Sequence, residues 1–145
     1  MSYGYNLNRF LVAQENDFHC ALEEIRNGEK RSHWMWYIFP QLEGLGFSAT
    51  SRIYSIKSMD EAVSYLNHPI LGNRLVEITS ALLSVKGRSA ESIFGFPDFM
   101  KIKSCMTLFE SVSEENSIFK QVLDQYFEGE KDTKTLQLIS HLRGT

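Results

Sequence analysis

The sequence predicts an all-α, mainly helical protein: a single compact orthogonal-type bundle of about six or seven helices that forms one domain, residues 1–145. Two observations predict this fold class. Apolar residues recur at steps of three and four in most segments, as in the stripe from Leu71 to Val85, which spans about four turns. In addition, a chain of 145 residues with 43% hydrophobic and 23% charged residues can bury a sufficient core without disulfides or metals.

The first predicted helices are bounded by capping residues. Asn6 caps a turn around Phe10, because a short polar side chain can accept a free backbone N–H at a helix start. The next segment opens at Asn16 or Asp17. It closes at Gly28, since glycine accepts the left-handed geometry that is common at helix ends.

Two helices are predicted in the middle of the chain. Ser58 and Glu61 form a capping box, in which each side chain satisfies a backbone N–H of the first turn, and this helix extends to about Asn67. Pro69 suits the first turn of the next helix because its missing N–H would have no partner there. That helix carries the long apolar stripe and ends at Gly87.

The last third of the chain predicts further helices. Ser89 caps a short turn, and Pro97 starts a helix whose apolar residues keep helical spacing through Phe109. Gly129 stops the stripe that follows, and Asp132 caps the last helix.

The stretch from Trp34 to Phe39 is the exception to this pattern. Aromatic and β-branched residues favour strands. A lone strand would leave its backbone groups unpaired, however, and every other apolar segment is helical. With Ser32 available as a cap and Pro40 as a terminator, a short and nearly fully buried helix is favoured.

Charge and composition argue against several classes of function. The net charge of −3 and the isoelectric point of about 5.8 provide no general attraction for nucleic acid, so a nucleic-acid partner is not expected. Apolar runs are far shorter than the roughly 20 residues of a membrane span, and the polar N-terminus lacks the apolar region of a signal peptide. We therefore expect a cytoplasmic protein without a membrane partner. The histidines and cysteines show no ligand spacing, which predicts no metal and no cofactor, and Cys20 and Cys105 are expected as buried thiols.

The segment from Gly44 to Ala49 formally matches the G-x-G-x-x-A pattern of dinucleotide-binding folds. Pro40 separates it from the preceding apolar run and no parallel strand follows, so a dinucleotide site is not expected. Gly44 and Gly46 can still present bare amides to an anion ahead of a helix that begins near Ser48. An ordinary structural loop is the alternative.

Polar side chains alternate with large aromatic ones between Lys30 and Tyr54. Small-molecule pockets are built from aromatic walls with a few convergent polar groups, and Trp34 and Trp36 suit such walls. The alternative is a core layer in which the indoles and His33 find internal partners. The imidazole of His33 suits acid–base catalysis because histidine titrates near neutral pH.

The same region resembles a known family. The run Lys30–Ser48 is similar to the K-x-S-H-W-M-W-[FY]-x-F-P-Q-L-x-G-L-G-x-S block of the family known as domain of unknown function 1810, some members of which carry a calpastatin-like label. Further matches extend along nearly the whole chain. They are Arg9–Gln14, Tyr54–Ile56, His68–Leu75, Ile93–Phe109 and Gly129–Leu136.

The resemblance implies a single mainly α-helical domain and no established activity, substrate or cofactor. It also implies that the family keeps polar residues that packing alone does not require, which points to a pocket. The candidate catalytic residues are His33 and Asp98, and the candidate ligand-binding residues are Trp34, Trp36, Gln41, Gly44, Gly46, Ser48, Tyr54, His68, Arg74, Lys101, Ser104 and Thr107.

Three functions follow as hypotheses. The first is a domain that binds a small anionic, nucleotide-like metabolite, with aromatic walls stacking a ring and with Arg74 and Lys101 meeting the anion. The second is a hydrolase of a similar substrate, with His33 as acid or base and Asp98 as its partner. The third is a protein-interaction module without chemistry, which predicts dispersed polar residues and an exposed apolar patch. The first two require the aromatic block, Arg74 and the Asp98 turn to converge on one cavity.

Overall fold

The computed structural model describes residues 6–143; residues 1–5, part of the polar N-terminal stretch, and residues 144–145 lie outside it. Within this range the chain forms ten α-helices and no strand, which confirms the all-α prediction. The number exceeds six or seven because short helices of four or five residues stand between the longer ones. The helices are α1 (Asn8–Gln14), α2 (Phe18–Arg26), α3 (Met35–Ile38), α4 (Ala49–Ile53), α5 (Met59–Asn67), α6 (Leu71–Ser84), α7 (Ala90–Phe94), α8 (Asp98–Glu110), α9 (Ile118–Phe127) and α10 (Thr133–Arg143).

Helix α8 lies at the centre of the bundle. Its residues 104–109 are all buried, and it packs against α5, α7, α9 and α10. A helix that is covered on all sides cannot leave polar side chains without partners. Its two buried hydroxyls meet this need by donating to backbone carbonyls one turn earlier, Ser104 to Met100 and Thr107 to Lys103.

The predicted apolar stripe forms the buried face of α6, which packs against α2, α5 and α9. Its four large residues from Leu71 to Leu82 are at most 1% exposed. Gly72 allows α5 and α6 to approach closely, because a Cβ at this position would collide with the carbonyl oxygen of Leu66. The helix ends at Ser84, slightly before the predicted stop at Gly87.

The aromatic stretch is helical, as predicted. Met35–Ile38 forms α3, and Trp34 and Phe39 on either side are at most 1% exposed. Ser32 does not cap this helix, contrary to the expectation, because its hydroxyl donates to the carboxylate of Glu24.

Several predicted helix starts are confirmed, but besides Ser32 two of the expected capping side chains, Asp17 and Asn6, form no cap. Asp17 precedes α2, but its carboxylate accepts a hydrogen bond from the Tyr37 hydroxyl and does not cap the helix. Asn6 does not cap α1, because Leu7 occupies the N-cap position without a side-chain bond. The side chains that do cap α4, α5, α7 and α10 are Ser48, Ser58, Ser89 and Asp132.

The two cysteines differ in exposure. Both are free thiols, and Cys105 is buried in α8 as expected. Cys20 is exposed, so the prediction of a buried thiol is wrong at this position; the residue lies on the outer face of α2. None of the helices within residues 6–143 combines the length and the apolar character needed to cross a bilayer.

Candidate functional site

A cavity of about 290 Å³ opens where four parts of the chain meet. They are the stretch before α3, α3 itself, the start of α4 and the first turn of α8. The lining combines three aromatic side chains with two lysines, a carboxylate, an imidazole and two hydroxyls. The lining residues are Lys30, His33, Trp34, Met35, Trp36, Tyr37, Ser48, Thr50, Asp98 and Lys101.

One carboxylate joins the two lysines of the cavity. Asp98 Oδ2 lies 2.9 Å from Lys30 Nζ, and Asp98 Oδ1 lies 3.1 Å from Lys101 Nζ. Lys30 Nζ also lies 5.1 Å from the ring centroid of Trp34. Lys101 Nζ lies 4.2 Å from that of Trp36. Each ammonium is therefore held between a carboxylate and an indole, and both indoles are within cation–π range.

The three charged side chains differ in depth. The side chain of Lys30 is 8% exposed, that of Asp98 is 20% exposed and that of Lys101 is 22% exposed. Burial acts to raise the pKa of Asp98, but hydrogen bonds from Lys30 and Lys101 outweigh it and hold this pKa below its usual value. Asp98 is therefore ionised at neutral pH, and the group carries a net charge of about +1.

A carboxylate behind the cavity shapes its wall. Glu24 Oε1 accepts hydrogen bonds from the backbone N–H groups of Arg31 and Ser32, at 2.7 and 3.0 Å. It also accepts one from the indole Nε1 of Trp34 at 2.9 Å. Glu24 Oε2 accepts from the Ser32 hydroxyl at 2.6 Å and from the Cys20 thiol at 3.1 Å. Glu24 therefore fixes the turn that leads into the cavity.

The loop before α4 forms another wall. Ile56, which follows α4, donates its backbone N–H to Gln41 and accepts one from Glu43, each at 2.8 Å, so an isolated bridge joins the start of the loop to the segment after α4. Within the loop, a Cβ on Gly46 would come within 2.8 Å of Trp36 Cη2. Only glycine fits so close to the ring, and the loop is thereby seated against this indole.

Six of the sequence-predicted site residues line the cavity together. They come from three separate parts of the chain: the aromatic block, the start of α4 and the first turn of α8. The aromatic block and the α8 turn thus meet at one cavity, but Arg74, which the first two functional hypotheses also require there, is not among its lining residues. The six residues are His33, Trp34, Trp36, Ser48, Asp98 and Lys101.

Arg74 lies elsewhere. Its guanidinium donates to Gln14 Oε1 at 3.3 Å and lies 5.4 Å from the ring centroid of Phe18. Gln14 is 1% exposed and in turn donates to the carbonyl oxygen of Tyr37 and to the hydroxyl of Tyr65. Arg74 therefore connects α6 to α1 and α2, and it is not a lining residue of the cavity.

Two further candidates have roles in packing or capping. His68 Nδ1 accepts hydrogen bonds from the backbone N–H groups of Ile70 and Leu71, at 3.1 and 3.2 Å, at the start of α6. The ring of Tyr54 packs against that of Tyr37, with centroids 5.1 Å apart. Tyr54 thus stands behind a lining residue.

The remaining candidates are also outside the lining. Ser104 and Thr107 donate within α8, and the Thr107 hydroxyl also accepts the backbone N–H of Asp132 at 2.9 Å. Gln41 is 4% exposed, and its side-chain nitrogen has no hydrogen-bond partner within residues 6–143. Gly44 has a φ of +106°, a backbone conformation that favours glycine in this loop.

Sequence reasoning missed several residues of the site. Lys30 and Tyr37 line the cavity but were not among the site candidates, although both belong to the block that resembles the family. Met35 also lies in that block, and a lining methionine is indistinguishable in sequence from a core one. No signal in the sequence pointed to Thr50 or to Glu24.

The arrangement offers hydrogen-bond donors more readily than a catalytic pair. His33 is exposed, and within residues 6–143 no hydrogen bond joins its side chain to Asp98, whose two oxygens are taken by lysines. Across the same residues, no group of three or more His, Cys, Asp or Glu side chains is placed to hold a metal ion. Among the lining residues, Lys101, Ser48 and Thr50 carry hydrogen-bond donors that suit an anion.

Comparison with known proteins places the chain in a family. Residues 4–139 match the family described as "Protein of unknown function (DUF1810)". The chain belongs to the DUF1810 family. This finding confirms the resemblance carried by the block Lys30–Ser48.

A solved structure supports the same DUF1810 assignment. The crystal structure of the conserved hypothetical protein Rv1873 from Mycobacterium tuberculosis is 45% identical in sequence and matches with a TM-score of 0.92. The match covers 94% of this chain and 97% of that one. No curated protein matches the chain. Neither description states an activity, so function has to be argued from the cavity.

Proposed function

We propose that the DUF1810 cavity binds a small anionic molecule through a phosphate-type group. The observation that carries the proposal is the pair of lysines that share one carboxylate, which leaves these three side chains with about one net positive charge beside two hydroxyls. The negative charge of Glu24 behind the wall is taken up by its five hydrogen bonds. In a partly desolvated cavity such a charge attracts an anion more strongly than it would in open water.

Lys101 is the lysine that would meet the anion. Lys30 Nζ lies 2.9 Å from Asp98 and donates to the carbonyl oxygen of Ser32 at 2.5 Å, and its side chain is 8% exposed. Lys101 Nζ has Asp98 as its one hydrogen-bond acceptor within residues 6–143, and its side chain is 22% exposed. An ammonium group has three hydrogens, so Lys101 keeps donors for a ligand.

Hydroxyl groups complete the set of donors. Ser48 Oγ accepts the backbone N–H of Ser51 at 3.1 Å, which leaves its own O–H to donate. Thr50 faces the same cavity. A lysine together with hydroxyls suits the oxygens of a phosphate group. Asp98 then acts as a fixed counter-charge that holds the lysines, and this arrangement favours binding over hydrolysis.

Lys101→Gln tests the proposal, with Lys103→Gln as a matched control. The side chain of Lys103 lies on the same helix and is 23% exposed, against 22% for Lys101. It also pairs with a carboxylate, Glu130, at 2.9 Å, and lies 5.9 Å from the ring centroid of Phe127. The two substitutions therefore remove the same charge from similar surroundings, and only one of them faces the cavity.

Calorimetric titration with inorganic phosphate and with ribose 5-phosphate is the measurement. We expect Lys101→Gln to weaken binding by about tenfold or more, because a hydrogen bond to a charged group contributes about 1.5–3 kcal/mol. We expect Lys103→Gln to bind as the unmodified protein does. Equal weakening in both variants, or no binding of either compound to the unmodified protein at millimolar concentration, would refute the proposal.

A further inference from the structure

Phe47 has the most exposed large apolar side chain among residues 6–143, with 78% of its surface in water. Phe96 is nearly as exposed, at 73%, but its ring packs against that of Phe99 with centroids 6.1 Å apart. No ring contact of this kind involves Phe47 within the described residues. Its phenyl ring is therefore available for stacking against a planar apolar group.

Phe47 is adjacent in the chain to a lining residue of the cavity. It immediately precedes Ser48, which lines the cavity, and immediately follows Gly46, which packs against Trp36. Successive Cα atoms are about 3.8 Å apart. Phe47 is not itself a lining residue, but its backbone adjoins Ser48, so its exposed ring lies within a nucleotide's length of the cavity.

The indoles inside the cavity are already engaged by protein groups. Trp34 is 1% exposed. The ring of Trp36 has Lys101 Nζ 4.2 Å from its centroid, and its edge lies against Gly46. The prediction that these tryptophans stack a ring is therefore not supported by their surroundings. The most exposed aromatic ring next to the lining is that of Phe47, and it is the partner that a planar ring of a ligand would find.

We propose that the ligand is an aromatic phosphomonoester of the nucleoside monophosphate class, with its phosphate at Lys101 and Ser48 and its ring stacked on Phe47. This inference rests on the proposed function, which concerns only the phosphate group, and adds a planar ring to the ligand. A free phosphate or a sugar phosphate would satisfy the donors and leave the phenyl ring in water. A nucleotide carries both the anion and the planar ring, separated by a sugar.

The test compares Phe47→Leu with Phe47→Trp, using ribose 5-phosphate and adenosine 5′-monophosphate as ligands. The unmodified protein should bind the nucleotide about fivefold or more tightly than the sugar phosphate, since stacking of a base on an aromatic side chain gives a ratio of about this size or larger in other proteins. Phe47→Leu should lose the ratio and Phe47→Trp should keep it. Both variants should bind ribose 5-phosphate unchanged and keep the melting temperature, because the side chain is exposed.

The outcomes separate this inference from the proposed function. Equal affinity of the unmodified protein for the two ligands overturns the ring assignment and leaves the anion site in place. The same conclusion follows if the Leu and Trp variants behave alike, or if Phe47→Leu weakens both ligands equally. Failure of ribose 5-phosphate to bind the unmodified protein overturns the ring assignment, and failure of both ribose 5-phosphate and inorganic phosphate overturns both proposals.

Discussion

Replacing Glu24 by Gln removes the carboxylate that orders the wall of the cavity. Glu24 is 9% exposed, and burial acts to raise its pKa. Hydrogen bonds from Ser32, Arg31 and Cys20 prevail and lower this pKa from 4.5 to about 2. One pKa unit corresponds to about 1.4 kcal/mol, so ionisation of Glu24 stabilises the folded chain by about 3 kcal/mol at neutral pH.

The stabilisation by Glu24 depends on pH in a defined direction. Its pKa is lower in the folded than in the unfolded chain, so the contribution is complete above about pH 5 and is lost as the pH falls towards 2. At pH 3 about 1 kcal/mol remains by the same linkage relation. Because Gln resembles the protonated carboxyl, Glu24→Gln should lower the free energy of unfolding by about 3 kcal/mol at pH 7 and by about 1 kcal/mol at pH 3.

Urea unfolding at the two pH values measures this difference. Glu23→Gln is the control, since Glu23 is the preceding residue of α2 and is exposed. It should change the free energy of unfolding by less than about 0.5 kcal/mol at both pH values. If Glu24→Gln destabilises the protein equally at pH 7 and pH 3, the charge of the carboxylate is not what orders the turn, and the reasoning is refuted.

Two further substitutions probe the cavity itself. Asp98→Asn should lower the free energy of unfolding by about 1–3 kcal/mol, because it leaves the nearly buried ammonium of Lys30 without its carboxylate. It should also strengthen the binding of inorganic phosphate by about fivefold, because the local charge rises from about +1 to +2; weaker binding in the calorimeter would contradict the assignment of Asp98 as a counter-charge. Gly46→Ala should destabilise the protein by about 1–3 kcal/mol in urea, since the new Cβ would lie 2.6 Å from Ser51 Cβ and 2.8 Å from Trp36 Cη2. An unchanged unfolding midpoint would show that the loop has room to move.

The sequence predicted helix starts well where the capping side chain bonds to a backbone N–H only a few residues away. Ser58 caps α5 because its acceptor oxygen needs only the backbone N–H three residues later. Asp17 and Ser32 are equally good capping residues, but Tyr37 and Glu24 offer them partners that are distant in the sequence. A hydrogen-bond partner that is distant in the sequence and replaces a local one cannot be recognised from the sequence pattern.

The candidate site was predictable in part, for the same reason. His33 and Trp36 come from one continuous block, so local reasoning found them together. Arg74 was assigned to the same cavity, but the direction of its side chain depends on how α6 packs against α1 and α2. Lys30 was missed because its position between a carboxylate and an indole exists only in the folded chain.

The charged group formed by Lys30, Lys101 and Asp98 contributes little net free energy to the stability of the fold. Removing an ammonium and a carboxylate from water costs several kcal/mol for each ion, and their attraction does little more than offset this cost. The Lys103–Glu130 pair avoids it, since the Glu130 side chain is 76% exposed, whereas Lys30 is only 8% exposed. Apolar residues of similar volume at Lys30 and Asp98 would stabilise the bundle at least as well. Stability therefore does not explain the lysine pair, and the proposed anion site would need such a pair, because its donors must be held in place before an anion arrives.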